Sequence, residues 1–283
     1  MTATDGDSYL TQLPAPKNSS FWKRLWKIRG DIPTHIYLTA LCLSSLAIVL
    51  VWSILTYGGF VKALVLPSPT AVFQRGAELL QDGSLLFNTI ASHRRVALGF
   101  LISVLLSLPL GLLIGSFRVC HGLIGWLVEA LRYIPPAAFL PISIVWFGFG
   151  ESQKIAIIVL GTFFYNTIMI ANAVKFVPGD LIRVSYTLGA TENNVLFDVI
   201  FPAALPDILD VLRTNYATAW NSLVIAELVA ANSGLGHQIV VAQRFYKTDD
   251  IFVVLFVIGS VGLVSDLMLK LLSRLIVPWS IEK

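Results

Sequence analysis

The sequence predicts an all-α membrane protein with about six transmembrane helices. Of its 283 residues, 56% are hydrophobic and only 13% are charged, and the mean hydropathy is +0.77. Soluble globular domains carry about 25% charged residues. Several apolar segments also reach the roughly 20 residues that a helix needs to cross a hydrocarbon core of about 30 Å. This composition excludes an ordinary soluble enzyme, and a net charge of +3 is too small for a nucleic-acid-binding face.

The N-terminal residues 1–35 are predicted to form a cytoplasmic tail. They contain no apolar stretch of the kind that a signal peptide requires. Within them, residues 21–29 mix aromatic and cationic side chains, which is typical of an amphipathic helix lying at the lipid headgroups. A basic flank that only sets the topology is the alternative. Residues 36–283 are assigned to one transmembrane domain.

The six predicted spans fall into two groups. Three contain no charged residue: 36–56, 96–117 and 155–174. Three more are long enough but include charges: 123–149, 208–231 and 251–277. Prolines lie inside the second and third spans, where each removes a backbone donor and bends its helix: Pro109, Pro135, Pro136 and Pro141. Lipid tolerates such breaks where neighbouring helices or a wet cavity satisfy the freed carbonyls, so they favour a transporter over simple packing kinks.

Six spans place both termini on one side of the membrane. That side carries eleven cations: Lys17, Lys23, Arg24, Lys27, Arg29, Arg118, Lys175, Arg183, Lys270, Arg274 and Lys283. The opposite side carries six: Lys62, Arg75, Arg94, Arg95, Arg244 and Lys247. The positive-inside rule therefore predicts that both termini are cytoplasmic. The long outer loop 58–95 is predicted to contain a surface helix that begins at a Thr70 cap.

The long inner loop, residues 175–206, is predicted to be folded. Asp180 is expected to cap a first helix, and Gly189 to end it in a left-handed conformation. The residues of one apolar face recur at helical spacing: Leu181, Ile182, Ser185 and Leu188. Thr191 is expected to cap a second helix that runs through Val199 and ends at Pro202. Two capped helices favour a docking surface for a partner over a solvated connector.

The spacing around Gly189 resembles a family signature. The permease subunits of ABC importers carry the pattern Gly-x9-Ile-x-Leu-Pro. This chain has a similar pattern, in which Gly189 is followed after nine residues by Val-Ile-Phe-Pro at 199–202. In that family this "EAA" loop is the coupling helix that docks into the ATPase subunit. Further segments, in the same order, resemble the nitrate/sulfonate/taurine/bicarbonate branch: 66–70, 95–100, 134–136, 140–141, 146–151, 186–190, 202–206, 226–227 and 233–236.

The resemblance implies a type I ABC importer permease fold in the inner (plasma) membrane. It implies a second copy of this chain, two ATPase subunits on the cytoplasmic side and a periplasmic or lipid-anchored substrate-binding protein, with no nucleic acid. ATP and Mg²⁺ would be bound by the partner subunits, and this lipid-embedded chain would hold no cofactor, metal or catalytic residue. The residues it assigns to coupling are Asp180, Arg183, Ser185, Leu188, Gly189, Ala190, Thr191, Val199 and Pro202. The glutamate of the family pattern falls on Arg183 and its two alanines on Val184 and Ser185, so contacts with the ATPase are expected to differ in detail.

Charged residues within the predicted spans are candidates for the path, because each costs roughly 2.5–3.5 kcal/mol to insert. Arg132 and Arg213 each follow a carboxylate by three residues and are expected either to pair with Glu129 and Asp210 or to present a guanidinium to an oxyanion. Glu227 and Asp266 are expected to pair across helices, with Lys270 as an alternative partner for Asp266. The residues predicted to line a path for a small anion are Arg132, Tyr133, Phe139, Asn166, Arg213, Asn221 and Glu227.

Two other functions compete with this hypothesis. A secondary transporter driven by an ion gradient predicts hydropathy symmetry between the two halves of the chain, and no persuasive symmetry is found. A membrane-embedded enzyme needs clustered histidine, cysteine or carboxylate side chains. The four histidines lie in different loops: His35, His93, His121 and His237.

Overall fold

The computed structural model describes residues 33–280, and no β-strand occurs in that range. The chain divides into two units, residues 1–60 and 61–283. In the first unit, α1 spans Thr34–Tyr57, a helix that is apolar along its length. The predicted interfacial segment 21–29 lies outside the described residues.

The second unit is a bundle of helices. They are α2 (Pro69–Gln81), α3 (Ser84–Ser116), α4 (Arg118–Leu131), α5 (Pro136–Phe147), α6 (Glu151–Lys175), α7 (Gly179–Thr187), α8 (Phe201–Ala230), α9 (Leu235–Arg244) and α10 (Thr248–Ile276). The surface helix predicted in the outer loop is α2. Its cap is Ser68 rather than Thr70, because the Ser68 hydroxyl accepts the Ala71 N–H at 3.3 Å.

Four of the described helices are long and apolar enough to cross a membrane: α1, α3, α6 and α10. The prediction of one kinked helix over 123–149 is wrong, because this segment forms two helices, α4 and α5, that meet at 94°. Neither is long enough to cross a membrane by itself, and only the bent pair together could form one span. Pro135 and Pro136 lie at this junction and cannot donate the hydrogen bonds that would continue α4. α3, by contrast, continues through Pro109.

The predicted span 208–231 corresponds to the greater part of α8, which has 30 residues but is less apolar than those four helices. Its polar side chains bond to neighbouring helices. The Asn215 amide donates to Asn166 of α6 at 3.0 Å, and Glu227 bonds to α3. Polar groups within a membrane bundle are tolerated where they hydrogen-bond to a neighbouring helix.

Small residues let α3 and α6 approach closely. On α3 they recur at every fourth position: Gly99, Ser103, Ser107, Gly111 and Gly115. A Cβ atom on Gly99 would lie 2.7 Å from Ile158 Cβ of α6, and one on Gly111 would lie 2.8 Å from Ile170 Cβ. This packing fixes α3 and α6 as the centre of the unit, with α8 against both.

Candidate functional sites at the two ends of the bundle

The inner loop begins with a helix whose end is built around Gly189. α7 ends at Thr187, and Gly189 has a φ of +85°. The Gly189 N–H donates to the Tyr186 carbonyl, and the Ala190 N–H to the Ser185 carbonyl, both at 3.0 Å. These two bonds form a Schellman motif, in which a left-handed residue satisfies the last carbonyls of a helix. The predicted left-handed helix end at Gly189 is confirmed.

The start of α7 differs from the prediction. Its N-cap position is Pro178, and no side chain caps it. Asp180 lies inside the first turn, where its carboxylate bonds to the Arg183 guanidinium. The carboxylate still lies near the positive end of the helix dipole, which stabilises the helix. Arg183, at the position of the glutamate in the family pattern, is therefore engaged within α7.

The second half of the loop runs directly into α8. The predicted Thr191 cap is confirmed, since its hydroxyl accepts the Asn194 N–H at 3.4 Å. The prediction that the helix ends at Pro202 is wrong: Glu192–Asn194 and a π-helical turn at Val195–Ile200 lead straight into α8. Pro202 lies in the first turn of α8, directly after the π-helical turn. Val199 and Pro202 thus belong to a continuous connection between the loop and α8.

One part of the loop is anchored and another is exposed. Val195, Leu196 and Ile200 are buried in a cluster with Ile170 and Val174 of α6. α7 and the residue that follows it expose four apolar side chains: Leu181, Val184, Tyr186 and Leu188. The Leu188 side chain is the most open of them, at 82% exposed. We call these four residues the loop patch. An anchored loop that presents exposed apolar side chains is typical of a protein docking surface.

The opposite end of the bundle contains a cluster of charges centred on Arg95 of α3, which is 2% exposed, while the Glu151 side chain at its edge is 44% exposed. The Arg95 guanidinium donates to both carboxylate oxygens of Glu151 at 2.6 and 2.7 Å and to Glu227 at 2.6 Å. It also donates to the Ser233 carbonyl and hydroxyl at 2.8 and 2.9 Å. All five N–H donors of Arg95 are therefore used. We call Arg95, Glu151, Glu227 and Lys154, which donates to Glu151 at 3.0 Å, the ion cluster.

Glu227 is held by the glycine-rich turn that follows α8. Its side chain is 1% exposed in the bundle and accepts the Gly236 N–H at 2.8 Å. The Ser92 hydroxyl donates to the same carboxylate at 2.8 Å and accepts the Leu235 N–H at 2.8 Å. Gly234 has a φ of +114°, and a Cβ atom there would overlap the Glu227 carboxylate. The turn can therefore wrap the carboxylate only because glycine stands at this position.

The expected cross-helix partners of Glu227 and Asp266 are present. Asp266 of α10 accepts two hydrogen bonds from Arg213 of α8, at 2.6 and 3.2 Å. The alternative pairs of Arg213 with Asp210, and of Asp266 with Lys270, are not formed. Arg213 also lines a largely apolar cleft of about 700 Å³ between α3, α8 and α10.

Arg132 does not pair with Glu129. Its guanidinium lies 5.1 Å from the centre of the Tyr133 ring and donates to the Tyr133 hydroxyl at 3.2 Å. Glu129 lies instead beside His121, with 4.0 Å between Oε1 and Nε2. The bend between α4 and α5 accounts for this difference, because α4 ends at Leu131, just before Arg132.

The remaining residues predicted for the path are not brought together. Asn166 is fully buried and bonds to Ser103 and Asn215, so it ties three helices to one another. Phe139 packs against a buried cluster formed by Leu140, Ile157 and Ala226. Tyr133 and Asn221 are exposed.

Sequence reasoning missed Arg95. The hydropathy pattern places it in the outer loop, because the predicted span begins at residue 96. α3 in fact begins at Ser84, twelve residues earlier, which places Arg95 within the bundle. Glu227 is the sequence signal that points to it. This carboxylate lies within a predicted span, is followed after a few residues by Gly234 and Gly236, and needs a cationic partner such as Arg95.

Comparison with known proteins identifies relatives along most of the chain. Residues 107–279 match the model of the family "Binding-protein-dependent transport system inner membrane component". A probable ABC transporter permease protein of Brucella melitensis biotype 1 is 40% identical over 228 residues, which cover 81% of this chain and 92% of the relative. The taurine transport system permease protein TauC of Escherichia coli strain K12 is 34% identical over 268 residues, which cover 93% and 96%. A solved structure of the MetNI methionine ABC transporter shares the fold, with a TM-score of 0.62 at 19% identity, over 69% of this chain and 96% of that one.

Proposed function

Since this chain belongs to the family of binding-protein-dependent transport system inner membrane components, we propose that it carries a small anion of the nitrate, bicarbonate, sulfonate or taurine type across the membrane. It is the transmembrane permease subunit of an ABC importer, in the branch that includes taurine permeases. The observation that best supports coupling to an ATPase is the loop patch, an exposed apolar surface on an inner loop that runs through a π-helical turn into α8.

We propose that the loop patch docks on an ATPase subunit, which binds ATP and Mg²⁺ and performs the bond chemistry. Movement of the loop would be transmitted to α8, because the π-helical turn joins the two without a flexible linker. Both termini would then lie in the cytoplasm, and the ion cluster would face the outer side, toward the substrate-binding protein.

The ion cluster is proposed to hold the outer end of the path closed. It joins α3, α6, α8 and the turn after α8 through a single guanidinium. Charge-assisted hydrogen bonds of this kind are short and directional, so the joined helix ends can separate only if several bonds break together. Opening would therefore require energy from the binding protein and from ATP.

The complete complex is predicted to contain two copies of this chain. One loop patch serves one ATPase subunit, and ATP hydrolysis in this family uses a pair of such subunits. Native mass spectrometry of the complex, purified through a tag on this chain, should show two copies with two ATPase subunits. A single copy, or a pairing with a different permease, would contradict the homodimer.

Arg213 is predicted to contact the anion when the path opens. Replacing it with glutamine would remove the guanidinium, and truncation of one partner of such a charge contact costs about 2–5 kcal/mol. We therefore expect anion uptake per molecule to fall at least about 30-fold in Arg213→Gln. The double variant Arg213→Gln/Asp266→Asn removes the unpaired carboxylate and should restore abundance without restoring uptake.

Arg132→Gln is the matched comparison, because Arg132 is also an arginine of the predicted spans but has only Tyr133 as a hydrogen-bonding partner in the described residues. Uptake should be measured at equal membrane abundance. If uptake is normal in both single variants, neither arginine contacts the substrate. If abundance falls while uptake per molecule stays normal, the Arg213–Asp266 pair has only a structural role.

A further inference from the structure

A pocket of about 310 Å³ opens beside the ion cluster, between the start of α6 and the end of α8. The residues that line it are Phe149, Gly150, Lys154, Val229, Ala231 and Asn232. They include one cation, Lys154, and no carboxylate. This volume is at the lower end of the range for small-molecule sites, about 300–1,000 Å³. The pocket therefore has room for a small ligand and a positive group to bind it.

The Lys154 ammonium is buried but incompletely bonded. The residue is 4% exposed, and Glu151 Oε1 at 3.0 Å is its hydrogen-bond partner within residues 33–280. An ammonium has three N–H donors, so two of those of Lys154 have no protein acceptor there. Burying a charged group is costly unless it is paired and hydrogen-bonded. A buried cation with unused donors that lines a pocket favours an anionic occupant.

The carboxylates of the ion cluster are bonded mainly to Arg95 rather than to Lys154. Both oxygens of Glu151 accept hydrogen bonds from Arg95, and Arg94 lies 3.9 Å away. Glu227 also bonds to Arg95. The ion cluster itself is balanced, with two cations and two carboxylates, so the positive character of the pocket comes from the unused N–H donors of Lys154. The N-terminus of α6, which no side chain caps, adds the positive end of a 25-residue helix next to Gly150.

We propose that this pocket binds one small oxyanion, with the Lys154 ammonium as its counter-ion and the Asn232 amide as a neutral donor. The favoured ligand is a sulfonate or nitrate held at the outer mouth before it enters the path. The proposal rests on the proposed function, because that function places the pocket on the side from which the anion arrives.

The test compares the thermal stability of the full-length chain in detergent with sodium methanesulfonate and with sodium chloride at equal ionic strength. A ligand that binds only the folded state raises the midpoint of unfolding. For a chain of this size, a ligand concentration ten times the Kd corresponds to a rise in the midpoint of about 3 °C. In the wild type we expect the midpoint in methanesulfonate to exceed the midpoint in chloride by this amount. We expect this excess to be lost in Lys154→Gln. Lys175→Gln, which removes an exposed lysine from the other end of α6, should keep it.

An equal excess in the wild type and in Lys154→Gln would overturn the site, since Lys154 would then serve only to neutralise Glu151. Asn232→Ala leaves every ion pair intact and should reduce the excess, so it provides the comparison if Lys154→Gln does not fold. Uptake by the assembled transporter separates this proposal from the proposed function. Normal uptake without a Lys154-dependent excess overturns the site alone, whereas absence of uptake in the wild-type complex overturns the proposed function.

Discussion

Replacing Arg95 with glutamine is expected to destabilise the folded chain by about 3–5 kcal/mol. The change removes the guanidinium that bonds to Glu151, Glu227 and Ser233, and it leaves the Glu227 carboxylate charged in a site that is 1% exposed. Breaking a buried ion pair by removing one partner has this large effect because the remaining charge is neither paired nor hydrated. The midpoint of thermal unfolding in detergent should fall by on the order of 10 °C.

Arg94 provides the matched control for this prediction. It is the neighbouring arginine, its side chain is 68% exposed, and its distance to Glu151 is 3.9 Å. An exposed ion pair contributes about 1 kcal/mol or less, so Arg94→Gln should change the midpoint only slightly. Equal midpoints for the two variants would show that the ion cluster does not hold the bundle together.

Replacing Gly189 with valine is expected to abolish the coupling of ATP hydrolysis to transport. Gly189 has a φ of +85°, and a β-branched residue in that region is strained by more than the roughly 1–2 kcal/mol typical of an L-residue. A Cβ atom there meets nothing within 4 Å, so the effect comes from the backbone and not from a clash. The end of α7 would unwind and displace Leu188 of the loop patch.

The measurement for this prediction is ATPase activity of the purified complex with and without the loaded binding protein. Gly189→Val should lose the stimulated part of the activity and keep the basal part. Gly189→Asn is the matched control, because asparagine tolerates a left-handed conformation, and it should retain most of the stimulation. Normal stimulation in Gly189→Val would show that the shape of this loop does not matter for coupling.

The inner loop was largely predictable because its signals are local. A glycine that ends a helix and a threonine that begins the next act on backbone groups within a few residues, so Gly189 and Thr191 were placed correctly. The continuation through Pro202 was not predictable, since the π-helical turn that accommodates this proline depends on packing of Leu196 and Ile200 against α6.

The ion cluster was not predictable in the same way, because its members are far apart in the chain. Arg95 and Glu227 are 132 residues apart, and the bond between them exists only once α3 and α8 have packed together. Sequence spacing instead suggested partners three residues away, such as Glu129 for Arg132 and Asp210 for Arg213. In the folded unit, Asp266 on a different helix lies within 2.6 Å of Arg213, which a search for neighbours along one helix cannot reveal.

ATP-driven anion uptake into proteoliposomes tests the proposed function most directly. The vesicles should contain the wild-type chain with its ATPase subunits, and labelled taurine should be supplied with the binding protein on the outer side. We predict uptake that requires ATP hydrolysis and both partners, and that is lost when the chain carries Gly189→Val. Uptake by this chain alone, driven by a proton or sodium gradient and indifferent to ATP, would contradict it and indicate a secondary transporter.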